Sequence, residues 1–190
     1  MEIPASKSAS NNTHATNVVP ASKFIEDLAV GMVFKTQAIS IDAPAIREFA
    51  RQFDPQPYHL DREAAEASLF GGLCASGWHV CAVMMRLLSD CMAESGGALV
   101  GNDQVPWLQW RKPVFEGDLI SATITVSACD NLSADDLNGS VSCKIVVHNQ
   151  NDETVMKLLN VLSVAKRSSA STPTGGADAK GGALAKGRDA

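Results

Sequence analysis

The segment Phe53-Asp-Pro-Gln-Pro-Tyr-His-Leu-Asp61 places a carboxylate, Asp54, and an imidazole, His59, five residues apart, with prolines at 55 and 57. General acid/base catalysis needs such groups within hydrogen-bond reach of one water or one substrate proton. The prolines fix φ and remove backbone donors, so the chain between the two groups has little conformational freedom to lose. If the segment folds back, the carboxylate favours the protonated ring and fixes its orientation. No serine or cysteine elbow stands beside the pair, so the pattern is not a nucleophilic triad. The same residue types also build polar turns, and spacing alone leaves both readings open.

A second feature is Ala75-Ser76-Gly77-Trp78. A glycine opening a helix exposes backbone N–H groups at the positive end of the helix dipole, where a developing oxyanion can be held. Simple close packing explains a glycine there equally well. Ser76 fits a helix N-cap. Trp78 fits either a core position or a pocket wall.

Regular elements must position these residues. Residues 31–41 alternate as a first strand. Asp42 caps a helix with Pro44 in its first turn, and Ile46, Phe49, Ala50 and Phe53 repeat at helical spacing. Pro55 stops that helix, which puts Asp54 at its end and His59 in the following loop. Asp61 caps a short helix over 62–68. From Gly77 to the Gly96-Gly97 pair the chain is apolar on nearly every side, with Met84 and Met85 as core, which predicts a buried central helix. His79, Arg86 and Asp90 fall on one narrow stripe of it, a structural or interface position. Alternating segments near 105–111, 120–128, 141–147 and 154–164 then read as strands in meander order, with Asn138-Gly139 as a turn. One buried helix and an antiparallel sheet make an α+β domain. The open sheet edges call for a second copy, a homodimer.

The domain is expected over residues 23–166, between disordered tails at 1–22 and 167–190 that are rich in small and polar residues. The net charge is −5 and basic residues are scattered, so no nucleic-acid footprint is present. No apolar run is long enough to span a bilayer, and no signal-like stretch opens the chain. Five cysteines without a CxxC pair fit reduced thiols in a cytoplasmic protein, and His148 has no second ligand beside it, so no metal site is expected.

The run Asp54-Pro-Gln-Pro-Tyr-His59-Leu-Asp61 resembles the D-x-N-P-x-H-x-D signature of the MaoC-like family, the (R)-specific enoyl-CoA hydratases. Gly77 falls where that family has the glycine of its H-G-M segment, and Arg111-Lys-Pro-Val-Phe-Glu-Gly-Asp118 is similar to its P-V-x-x-G-D turn. The resemblance implies a single hot-dog domain, a curved antiparallel sheet wrapped around a long central helix. It implies that Asp54 and His59 hold one water for reversible syn hydration of a trans-2-enoyl thioester to an (R)-3-hydroxyacyl thioester. The Gly77 N–H would bind the thioester oxygen. No metal or redox cofactor is required, the substrate is carried on CoA or acyl carrier protein, and a homodimer or dimer of dimers is implied. The chain departs from the pattern at Gln56, where the family has asparagine, and at Ser76 and Trp78, which flank Gly77 in place of His and Met. With Tyr58, these are the candidate substrate-binding residues. A hot-dog acyl-CoA thioesterase and a non-catalytic acyl-CoA-binding module are the alternatives on the same fold.

Overall fold

Asp42 is extended, and its carboxylate accepts from the Ala45 N–H at 2.8 Å, which launches helix α1, Ala43–Phe53. The helix buries Ala43, Ile46 and Ala50. Phe53 does not join them: it sits in the last turn, 68% exposed, with its ring tilted against Phe49. The backbone leaves the helix at Asp54, as the adjoining proline demands. The segment after Pro55, expected as a loop, is partly helical. Pro57 has its φ preset for a helix start, and Pro57–Leu60 closes one short turn, α2, which carries His59. Asp61 then caps α3, Arg62–Glu66, by accepting from the Ala64 N–H at 2.8 Å. Helix α3 stops two residues before the 68 expected from sequence, and Ser68 closes its end by bonding Ala65.

The computed structural model describes residues 23–130 and 137–167; the expected tails over 1–22 and 168–190 lie outside the described residues. Arg167, assigned to the tail by composition, belongs to the folded domain. Its guanidinium pairs with Asp27 and lies 5.1 Å from the Phe24 ring centroid.

The central helix α4, Gly77–Glu94, buries Val80, Met84, Leu87, Leu88, Cys91 and Met92. The polar stripe divides along its length. His79 is buried and stacks on Phe49 of α1, with ring centroids 4.8 Å apart and planes 7° apart. Arg86 and Asp90, further along, form an ion pair 2.7 Å long in solvent. Helix α1 covers only the start of α4, so one stripe faces two environments.

Six strands form the sheet: β1 Val33–Lys35, β2 Ile39–Ser40, β3 Leu99–Trp110, β4 Leu119–Asp130, β5 Asn138–His148 and β6 Thr154–Ala165. Their order is β1-β4-β5-β6-β3, with β2 also on β4, and every pairing is antiparallel. The single first strand expected over 31–41 is thus two. Between them the Thr36 hydroxyl accepts from the Ala122 N–H at 2.8 Å, taking the place of a ladder carbonyl. The meander holds for β4, β5 and β6 but not for β3, which joins the far edge beside β6. Three register shifts interrupt that pairing and bend β3. Asn138-Gly139 begins β5 rather than forming the turn. Gly139 is needed for close approach: a Cβ there would overlap the Ile25 side chain. The turn at Gly117-Asp118 is as expected, with Gly117 at φ 89° and the Asp118 carboxylate accepting from the Phe115 N–H at 2.8 Å. The sheet curves around α4, with Ile120, Ile124, Ile145, Leu158 and Leu162 in the core between them. Among the described residues no helix is long and apolar enough to cross a membrane.

Candidate active site

Helix α2 carries His59 into the interior, where its Nδ1 lies 2.7 Å from the Cys74 carbonyl oxygen. A carbonyl only accepts, so Nδ1 carries the proton and donates. That leaves Nε2 as the accepting nitrogen of the ring. Nε2 points at Asp54 Oδ2 from 3.5 Å. Ser76 Oγ donates to the same carboxylate oxygen at 2.6 Å and accepts from the Trp78 N–H at 3.2 Å. Ser76 is therefore both the N-cap of α4 and an anchor for Asp54. The Tyr58 ring meets His59 edge-on at 4.5 Å and restricts its rotation from the side.

Gly77 is the first residue of α4, so its N–H stands outside the helical ladder. The Trp110 indole lies directly on it and donates to the Gly77 carbonyl at 2.9 Å. A Cβ on Gly77 would sit 2.8 Å from the indole, so only glycine fits beneath that ring. The close packing expected of Gly77 is present.

These groups share one cavity of about 440 Å³, lined by Asp54, Tyr58, His59, Gly77 and Trp78 among others. Trp78 is 62% exposed, a cavity wall and not core. Ser76 is buried behind the carboxylate. Gln56 is not brought to the cavity. Its side chain is exposed, and its backbone takes part instead, donating to the Asp54 carbonyl at 2.8 Å and accepting from the His59 N–H at 2.9 Å. The position that departs from the family signature thus holds the segment's shape through main-chain bonds, which either amide residue can make.

Other lining residues escaped the sequence reading. Trp110, Arg111 and Lys112 reach the cavity from the end of β3, because β3 pairs with β6. The Cys74 thiol lies 3.8 Å from His59 Nδ1, but burial pushes its pKa up, so it stays a thiol and not a nucleophile. Among the described residues no three His, Cys, Asp or Glu side chains cluster as a metal site would require. His148 lies 3.5 Å from Asp152 at a hairpin, away from the cavity.

His79 lies outside the cavity lining, yet its titration bears on the fold. Burial lowers its pKa most; Asp42 opposes this and His59 adds to it. Its folded pKa lies below the ordinary 6.5, so the unfolded chain binds more protons below that pH. The stability contributed by neutral His79 is complete above pH 6.5 and is lost as pH falls from there towards the lowered value. His79→Phe keeps the stack on Phe49 and removes the titration. The drop in urea midpoint between about pH 7.5 and about pH 5.5 is expected to be smaller in this variant than in the parent. An unchanged drop would assign the acid sensitivity to other groups.

A MaoC-like domain family model matches residues 26–149. The chain is 39% identical to a MaoC-like dehydratase of known structure from Rhodospirillum rubrum, with a TM-score of 0.67 over 77% of this chain and 99% of that one. The (R)-hydratase from A. caviae shares the fold at 23% identity, with a TM-score of 0.55 over 73% of this chain and 98% of that one. YdeM of Bacillus subtilis (strain 168), an uncharacterized protein, is 28% identical over 102 residues, which cover 54% of this chain and 72% of YdeM. With the curved antiparallel sheet around α4, these likenesses establish that the chain belongs to the MaoC-like family and has the hot-dog fold of proteins of the hydratase/dehydratase kind.

Proposed function

We propose that this protein adds water reversibly across the double bond of trans-2-enoyl thioesters, giving (R)-3-hydroxyacyl thioesters. The observation that carries this reading is the convergence of Asp54, His59 Nε2 and the helix start at Gly77 on one cavity. One water bonds from the cavity side to both the carboxylate and Nε2, which stand 3.5 Å apart. The thioester carbonyl oxygen accepts from the Gly77 N–H. As the water oxygen bonds to C3, its proton passes to the Asp54/His59 pair, and the π electrons shift so that negative charge gathers on the thioester oxygen. C2 then takes a proton from the same pair, on the same face. Nothing is oxidised or reduced, and one water is consumed.

Arg111 at the cavity supplies positive charge for the phosphates of CoA or of a carrier-protein arm, while Lys112 beside it is paired with Glu153. The relation to (R)-hydratases favours the (R) product, since the A. caviae protein of the same fold is one. The deciding experiment incubates the protein with crotonyl-CoA and measures loss of enoyl absorbance, product stereochemistry and free thiol together. Hydration with the thioester intact supports the reading. Release of free CoA without hydration would instead identify a thioesterase, and tight binding with neither would identify a binding module.

A second copy of the chain is part of the proposal. Strand β3 is a sheet edge that exposes Val100, Val105, Trp107 and Trp110. A long apolar edge of this kind is stable in water only when paired or covered. Trp107→Glu is expected to shift the protein from dimer to monomer in sedimentation at micromolar concentration. A monomeric parent would remove this part of the proposal.

A further inference from the structure

Asp54 stands where a negative charge gains nothing from its own helix. It is the C-cap of α1, beside the last free carbonyls and at the negative end of the helix dipole. Its anchor comes from another helix. Ser76 Oγ donates to Oδ2 at 2.6 Å, in the short range typical of a hydroxyl on an ionised acceptor. His59 Nε2 lies 3.5 Å from the same oxygen, too far for a firm bond. Among the described residues no other group bonds the Asp54 side chain, so Oδ1 remains free in a residue that lines the cavity.

Ser76 is itself held. It is buried, and its Oγ accepts from the Trp78 N–H at 3.2 Å, so its single proton is committed to Asp54. The next residue is Gly77, the first of α4. One helix start therefore bears both contacts, the hydroxyl on the carboxylate and the N–H meant for the thioester oxygen. Helix α1 does not depend on this bond for its place. Five residues before Asp54, Phe49 stacks on His79 of α4 at 4.8 Å, and Ile46 and Ala50 are buried. The hydroxyl orients the carboxylate; the stack and the buried face dock the helix.

We propose that Ser76 is a positioning residue for the reaction: it ties down Asp54 Oδ2 and so presents Oδ1 to the water, at a fixed span from the Gly77 N–H. The proposal rests on the hydratase reading and deepens it. Without the hydroxyl the carboxylate turns about its own side-chain bonds, and base and thioester are aligned in only a fraction of complexes. Misplacement on this scale costs up to about 100-fold in rate. Binding is spared, because the thioester oxygen and the phosphates meet Gly77 and Arg111.

Capping and positioning separate by substitution. Glycine is nearly as good an N-cap as serine and alanine is a poor one, while neither carries a hydroxyl. Ser76→Gly and Ser76→Ala are both expected to lower kcat for crotonyl-CoA hydration by roughly 10- to 100-fold, with KM within about 2-fold of the parent. Ser76→Ala is expected to be the less stable of the two in urea. Ser76→Thr, which restores the hydroxyl, is expected to recover most of the lost turnover. In an Asp54→Ala background, Ser76→Gly is expected to cost little further in kcat or in urea midpoint, because the bond is already broken. A loss that follows the cap, severe with alanine and slight with glycine, overturns the proposal. So do losses that add in full with Asp54→Ala. If the parent hydrates no enoyl thioester, the hydratase reading fails and the urea comparison alone decides the tie: non-additive midpoints uphold it, and additive ones refute it.

Discussion

Asp54→Asn is expected to lower kcat/KM for enoyl-thioester hydration by roughly 10²–10⁴, the range that a positioned general acid or base contributes. The substitution isolates chemistry from folding. The asparagine oxygen can still accept from Ser76 Oγ, which holds the native carboxylate at 2.6 Å, so the local bond survives while basicity is lost. His59→Ala is expected to lose activity similarly but for a mixed reason. It removes the donor that meets the buried Cys74 carbonyl at 2.7 Å, and an orphaned carbonyl costs about 1–3 kcal/mol. Thermal unfolding should therefore separate the two variants, with His59→Ala clearly less stable and Asp54→Asn close to the parent. An Asp54→Asn protein with full activity and native stability would refute the assignment, because among the described residues no other carboxylate lines the cavity.

Gly77→Ala is expected to be the second most damaging change. Two effects meet at this residue. The added Cβ would lie 2.8 Å from the Trp110 ring, which is a rigid fused system anchored to the same residue and not a flexible tip. Either the indole or the start of α4 must move. The N–H that meets the thioester oxygen then loses its alignment, and the loss of one such donor costs roughly 10²–10³ in turnover. The fall should appear in kcat more than in KM, since the oxygen gains its charge only on the way to the transition state. Steady-state kinetics of Gly77→Ala, Trp110→Ala and the double variant test the cause. If the clash is responsible, Trp110→Ala recovers part of the loss and the two changes are not additive. Strictly additive losses would mean that the indole does not press on Gly77 at all.

Much of the fold is legible in the sequence because the signals are local. The caps at Asp42, Asp61 and Ser76 depend on atoms two or three residues away, and each appears where the sequence puts it. The turn at Gly117 and the buried face of α4 likewise reflect φ preference and helical period. The misreadings are of one physical kind. Strand β3 carries an alternating pattern that suits any partner, and its place beside β6 is set by packing across the sheet, not by its own residues. Asn138-Gly139 has the composition of a turn, but Ile25 needs the missing side chain of Gly139 from more than a hundred residues away. Phe53 keeps helical spacing yet meets no core, because the helix ends where it stands.

The candidate site divides in the same manner. Residue type and near-neighbour spacing mark the candidates: Asp54 and His59 in a proline-stiffened segment, and Gly77 at a helix start. How they are arranged is decided by the tertiary packing. It aims Nε2 at Asp54 by bonding Nδ1 to Cys74, fifteen residues on, and turns Ser76 into an anchor for a carboxylate twenty-two residues before it. It also sets Gln56 outside the cavity and brings Trp110, Arg111 and Lys112 into it. Side-chain type fixes what a group can do within its own turn of chain, whereas its partners are chosen by the packing of elements that the chain brings together from afar.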